Sequence, residues 1–279
     1  MLIYVNGSWV QEAEAVIPFK DQGFLYGDSL FETIRINRGN PFRLQKHLDR
    51  MLNGMRTIYM DGHLLLESIP DLLIEIIQKN TLNNALVRVM ITRGVTQDSS
   101  QETDSSLAIY ISARKLSTFT EWPVKVIFVE EKNYPLLRFY PAIKSGNYLG
   151  NMLAKKDAEK AGAFEPVFVN NDGYVTECAI RNIFFIKGNT LLTPHVELGV
   201  LPGVIRDTIM ELARKRGLQV EESFTLVKDV NDMDEAFISS TGVGVLPVTW
   251  DGFQSTYEQS QILRTDLQTL FNSGAQDVT

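Results

Sequence analysis

Lys144 is a single cation in the apolar stretch Phe139-Tyr-Pro-Ala-Ile-Lys-Ser-Gly-Asn-Tyr-Leu-Gly-Asn-Met-Leu153. An apolar strand running into a Ser-Gly-Asn turn would carry this lysine to a place where chemistry can use it. Burial disfavours the ammonium form. A neutral amine can attack a carbonyl and form a Schiff base. A solvated lysine at a strand end has the same local signature, so other parts of the chain must separate the two readings. Three do. Leu201-Pro-Gly-Val-Ile-Arg206 opens a helix, and the N–H groups of Val204 and Ile205 at its start suit a phosphate. A Pro-Gly turn that only starts a helix is the plainer alternative. Ser239-Ser-Thr-Gly-Val-Gly244 follows an apolar strand. Its hydroxyls and glycine amides suit the same group, or form a polar loop. Glu177 is an acid in the mostly uncharged run Tyr174–Phe185. A buried carboxylate needs a partner, either Arg181 or a protonated ring nitrogen.

An amine, an acid and two phosphate-binding elements are the parts that pyridoxal 5'-phosphate requires. Its aldehyde takes a lysine, its pyridinium nitrogen a carboxylate, and its phosphate takes amides and hydroxyls. Three scattered histidines and one cysteine, Cys178, give no support for a Cys/His metal site. No metal is expected.

These residues need elements to position them. Asn6-Gly7 is a type I′ turn signal between Leu2–Val5 and Ser8–Val10. A second hairpin joins Leu30–Ile36 to Pro41–Leu44 across Asn37-Arg-Gly-Asn40. Leu44, Leu48, Met51, Leu52, Met55 and Tyr59 recur at helical spacing. A further helix starts near Ser68-Ile-Pro70. Strands are expected at Ala85–Thr92 and Leu107–Ala113, around a polar loop from Gly94 to Ser106. The second half alternates strands (Val124–Val129, Pro166–Val169, Tyr174–Thr176, Ile183–Ile186, Thr190–Leu192, Leu218–Glu221, Glu235–Ser239, Val245–Val248) with helices over Val204–Arg216 and Glu258–Phe271. This is an α+β pattern. The expected division is a small N-terminal α/β domain over 1–113, a linker over 114–123, and a larger C-terminal domain over 124–279 that carries the lysine.

At 279 residues the chain can bury a large core. Its net charge of -7 and lack of a basic run argue against nucleic-acid binding. The first residues show no basic region followed by an apolar core, so no leader is expected. No apolar run approaches a membrane span. A lone cysteine fits a reducing cytoplasm.

Seven segments occur in an order that resembles the pyridoxal-phosphate enzymes of fold type IV: branched-chain and D-amino-acid aminotransferases and aminodeoxychorismate lyases. They are Gly23–Gly27, Phe31–Arg35, Phe42–Arg50, Lys144–Tyr148, Thr176–Phe184, Leu201–Arg206 and Asp234–Thr241. The resemblance implies a small α/β domain, a larger barrel-like α/β domain and a cofactor held between them in a homodimer. It implies that Lys144 carries the Schiff base and moves the proton, that Glu177 holds the ring nitrogen, and that Arg50 binds phosphate with Val204, Ile205, Ser240 and Thr241. Tyr148 would bond the ring hydroxyl and Leu201 would pack on the ring. Asn182 would brace Glu177 or the substrate side. A cation in a Val/Met/Ile strand needs a partner, so Arg88 is a candidate either for a substrate carboxylate or for a structural salt bridge. Tyr26 and Arg35 are candidate pocket walls. The expected activity is amino transfer between a small, branched-chain or other apolar amino acid and a 2-oxo acid. The alternative is an aminodeoxychorismate lyase releasing pyruvate and 4-aminobenzoate. Thr33 resembles the lyases, which often have threonine where the branched-chain enzymes have glycine.

Overall fold

The fold is described from a computed structural model over residues 1–95, 107–117 and 121–273. Most of the expected polar loop and positions 118–120 of the expected linker lie outside these residues. The chain separates into two compact units.

The first unit comprises Met1–Leu116, Ile143–Asn147 and the end of the chain from Phe271. Its strands are β1 (Leu2–Val5), β2 (Ser8–Gln11), β3 (Ser29–Asn37), β4 (Asn40–Pro41), β5 (Ala85–Thr92) and β6 (Ala108–Lys115). They form an antiparallel sheet in the order β2-β1-β6-β5-β3-β4. Its helices are α1 (Gln22–Tyr26), α2 (Leu44–Thr57), α3 (His63–Glu67) and α4 (Ile69–Lys79). Both expected hairpins form, with Asn6, Gly7, Arg38 and Gly39 at positive φ, as a type I′ turn demands. The second is shorter than its hydrophobic pattern suggests, because the chain leaves β4 to enter α2.

Strand alternation sorts this sheet into two faces. Leu30, Ile34 and Ile36 of β3, Val87, Val89 and Ile91 of β5, and Ile109 and Ile111 of β6 are buried with Met51 and Met55 of α2 and Leu73 and Ile76 of α4. The other face carries Phe31, Thr33 and Arg35 opposite Met90, Arg88 and Leu86, which in turn face Tyr110, Ser112 and Arg114.

The stretch before Lys144 is not a strand. Pro135 and Pro141 remove ladder donors, and only Ser145 makes a bridge, to Leu30. By sequence Lys144 follows the linker; in space its stretch groups with the first unit. Phe31 N–H donates to Lys144 C=O at 3.0 Å and Gly146 N–H to Ser29 C=O at 2.8 Å. A Cβ at Gly146 would overlap the Ser29 hydroxyl, so the approach needs glycine.

The second unit comprises Ser117–Ala142 and Tyr148–Leu270. It holds β7 (Val124–Glu130), α5 (Leu149–Lys160), β8 (Glu165–Val169), β9 (Val175–Cys178), β10 (Asn182–Lys187), β11 (Thr190–Pro194), α6 (Val204–Lys215), β12 (Gln219–Ser223), β13 (Glu235–Ser240), β14 (Gly244–Thr249) and most of α7 (Glu258–Ser273). The strands make one curled, mixed sheet in the order β12-β11-β10-β13-β14-β7-β8-β9. Val126, Val167, Ile183, Phe185, Ile238, Leu246 and Val248 form its buried core. Helix α6 stops two residues before Gly217, whose φ of +83° follows the usual left-handed exit. Helices and sheets in these proportions make the chain α+β, as the sequence pattern indicates. No helix among the described residues is long and apolar enough to cross a membrane.

Ile34 is fully buried in the first unit. Ile34→Ala should cost about 2–5 kcal/mol, read as a lower urea midpoint for the loss of first-unit structure.

Candidate active site

In the first unit the site begins with Lys144. Its Nζ lies 4.5 Å from the centroid of the Phe31 ring, and the Arg88 guanidinium lies 4.0 Å from the same centroid. Aromatic faces attract cations, so one ring gathers the candidate nucleophile and the candidate carboxylate ligand. Arg88 is exposed, in contrast to its apolar strand neighbours. Thr33 is half-buried directly opposite it. Arg35 is on the same face one row further, but its guanidinium is stacked 3.9 Å from the centroid of Phe271. Burial lowers its pKa to about 10.

Tyr26 ends α1 and is 72% exposed. Buried Asp21 fixes that short helix. Its carboxylate accepts from Gly23 N–H at 2.8 Å, Phe24 N–H at 3.2 Å, Thr92 Oγ1 at 2.8 Å and Tyr110 OH at 3.0 Å. Burial and the Asp21 carboxylate push the Tyr110 hydroxyl up from its ordinary value.

Arg50 reaches Glu32, a role the sequence reading did not assign. Arg50 Nε donates to Glu32 Oε1 and Nη2 to Oε2, both at 2.7 Å. His47, one turn earlier on the same helix face, brings Nδ1 to 2.7 Å from Glu32 Oε2. An ionised carboxylate only accepts, so His47 Nδ1 carries the hydrogen. Its Nε2 is buried without a hydrogen-bond partner among the described residues. Burial would raise the Glu32 carboxyl, but Arg50 and His47 outweigh it and hold the group well below its ordinary value of 4.5. Burial pulls His47 below 6.5 despite Glu32, with Arg50 and Lys144 acting in the same direction. The signal for this cluster was an acid at an even position of β3, where Leu30, Ile34 and Ile36 are apolar.

In the second unit Glu177 sits on β9. Arg138 Nη1 donates to its Oε1, and Leu201 N–H donates to Oε2 at 3.2 Å. Arg181, the partner considered from sequence, pairs with buried Glu165 instead. The reason is a turn: past the end of β9, Cys178 N–H donates to Arg181 C=O at 2.9 Å, and the turned segment meets Glu165, which also accepts from Ile180 N–H at 3.0 Å. Arg138 also donates to Glu131, which accepts from Thr176 Oγ1 at 2.6 Å. Two carboxylates therefore share one guanidinium. Their attraction raises Arg138 above its ordinary value although burial opposes it. Sequence reading missed Arg138; its signal was a lone charge in Tyr134–Ile143 beside two prolines.

Val204 and Ile205 are the first residues of α6, after the N-cap Gly203, which provides no side-chain cap. Their N–H groups are among those that a helix leaves unsatisfied internally. A Cβ at Gly203 would stand 2.5 Å from Asn182 Oδ1. Asn182 Nδ2 donates to Ser239 C=O at 3.1 Å and to its Oγ at 3.0 Å, so Asn182 links β13 to the α6 entrance. Ser240 Oγ accepts from Val243 N–H at 3.4 Å, and half-buried Thr241 follows it. Half-buried Tyr148 precedes α5. Among the described residues no group of acids, histidines and cysteine is arranged to hold a metal ion.

Comparison with known proteins places the chain in a family and a fold. The family described as "Amino-transferase class IV" matches residues 29–250. A protein of Methanocaldococcus jannaschii, provisionally named a branched-chain-amino-acid aminotransferase, is 34% identical over 250 residues, covering 89% of this chain and 87% of its own. The aminodeoxychorismate lyase of Bacillus subtilis is 30% identical over 253 residues, covering 89% and 86%. The solved structure of the Escherichia coli branched-chain amino acid aminotransferase superposes with a TM-score of 0.86 at 26% identity, over 99% of this chain and 96% of that one.

The Glu32–His47 pair predicts acid sensitivity. Both groups have folded pKa values below their unfolded ones, so the unfolded chain binds more protons as pH falls. The stability they contribute is present at neutral pH. It declines first as pH drops below about 6.5, from His47, and again below about 4.5, from Glu32. His47→Gln should flatten the upper part of that decline in urea titrations at pH 7.5, 6.5 and 5.5.

Proposed function

Because the chain belongs to the class IV amino-transferase family, we propose that it is a pyridoxal-phosphate-dependent transaminase. It would move an amino group between a small branched-chain or other apolar amino acid and a 2-oxo acid. The observation that carries the reading is the cluster under Glu177. Two carboxylates to one guanidinium leave a net negative site, which suits a protonated ring nitrogen. The cofactor, when bound, supplies an electron sink for the substrate carbon.

The remaining work falls to the chain's own groups. Lys144 Nζ, held against Phe31, would hold the cofactor at its aldehyde carbon and move the substrate proton. Arg50, its guanidinium oriented by Glu32, binds the phosphate with the amides of Val204 and Ile205 and the hydroxyls of Ser240 and Thr241. Leu201 supports Glu177 through its backbone N–H and the ring through its side chain. Tyr148 bonds the ring hydroxyl. Asn182 keeps the α6 entrance in place. Tyr26, Thr33, Arg35 and Arg88 form the substrate side. The working form is a cytoplasmic homodimer. Exposed Phe19 and Phe24, whose ring centroids lie 6.1 Å apart, support pairing with a second copy, because an exposed apolar patch marks an interface.

A second reading, an aminodeoxychorismate lyase, is supported by the Bacillus subtilis relative and by Thr33. One experiment separates them. The protein loaded with pyridoxal phosphate is mixed with L-leucine, D-alanine or glutamate, and its absorbance is followed. Conversion to the pyridoxamine form is expected. No conversion with any amino acid, together with pyruvate release from aminodeoxychorismate, would overturn transamination in favour of the lyase. Lys144→Ala should abolish covalent retention of the cofactor after borohydride reduction; survival of retention would reject the lysine assignment.

A further inference from the structure

We propose that Ser112 is a specificity-determining residue that, with Thr33, flanks Arg88 and binds the carboxylate of the substrate. The inference rests on the transaminase reading and extends it to a residue on the third strand of the sheet. Thr33 pairs with Arg88 across β3 and β5, and Arg88 pairs with Ser112 across β5 and β6. Residues directly opposite one another share a face, with Cβ atoms about 5 Å apart. The row therefore reads hydroxyl, guanidinium, hydroxyl. It lies on the face opposite the buried core of Val87, Val89 and Ile91. Thr33 and Ser112 are half-buried and Arg88 is exposed.

The neighbouring row fixes the direction of use. Phe31, Met90 and Tyr110 face one another there, and the Phe31 ring touches both Lys144 Nζ and the Arg88 guanidinium. The two cations are therefore no farther apart than those two distances together. A substrate whose amino group approaches Lys144 has its carboxylate within reach of the Arg88 row. The Arg88 guanidinium carbon lies 4.0 Å from the Phe31 centroid, and Thr33 and Ser112 are its cross-strand neighbours, one on each side. A carboxylate has two oxygens and about four acceptor sites. One guanidinium edge leaves some of these unfilled, and a hydroxyl on each flank supplies the missing donors. A neutral ligand would gain little from the same arrangement, because hydrogen bonds to charged groups are the stronger ones.

The test is calorimetric titration of the cofactor-loaded protein with hexanoate and, in parallel, hexanamide. Ser112→Ala should weaken hexanoate binding about tenfold and leave hexanamide binding within about twofold. Ser112→Thr, which keeps the hydroxyl, should restore hexanoate binding, and Lys115→Ala, on the other alternation of β6, should change neither ligand. Thr33→Val provides an independent variant with the same expected pattern. In steady-state assays Ser112→Ala should raise KM for the 2-oxo acid with kcat little changed. Equal loss of hexanoate and hexanamide, or hexanoate affinity unchanged in both Ser112→Ala and Thr33→Val, would overturn the proposal. Failure of the wild-type protein to convert with any amino acid would reject the transaminase reading instead, and is scored separately by absorbance.

Discussion

Glu32 is a carboxylate in the apolar face of β3, and much of the first unit is arranged around that fact. An ionised acid removed from water needs partners of good geometry. Arg50 and His47 supply three nitrogen contacts from a single helix face. That requirement fixes the rotation of α2 about its axis, since His47 and Arg50 must both face the sheet. The same rotation buries Met51 and Met55 against Leu30 and Ile34. The arginine proposed to take the phosphate is thus oriented by an internal acid rather than left to solvent.

Two acids, Glu32 in the first unit and Glu177 in the second, are treated in opposite ways. Glu32 is balanced by one arginine, and the neutral His47 adds a donor without adding charge. Glu177 shares its arginine with Glu131. The first arrangement closes its charge within the chain, whereas the second leaves a surplus that a cationic ring atom can complete. A single protein therefore presents one acid that organises structure and another suited to a ligand, and the difference lies in the count of neighbouring charges.

Much of this was legible in the sequence because it depends on short periods. The two-residue alternation of β3, β5 and β6 and the helical spacing of α2 and α6 are local, and the strands fall within a few residues of their expected limits. The Lys144 stretch was harder to read. Its apolar composition suggests a strand, but Pro135 and Pro141 deny it a ladder, and its anchors are Ser29 and Phe31, more than a hundred residues earlier. Arg138 and Glu177 are 39 positions apart, so no window on the chain contains both. Helix α1 is too short to show a period, and its anchor, Asp21, finds Thr92 and Tyr110 only in three dimensions. The stacking of Arg35 on Phe271, from the far end of the chain, has no local signal either.

The row of Thr33, Arg88 and Ser112 belongs to strands whose odd and even positions have separate duties. A one-residue insertion upstream in β5 would turn Arg88 toward the helices and bring a valine to the open face, with every later residue of the strand exchanged in the same way. Substitution at these three positions carries no such penalty. Variation of this row is therefore open to point replacement and closed to length change within the strands, so insertions are tolerated only in the loops beyond their ends.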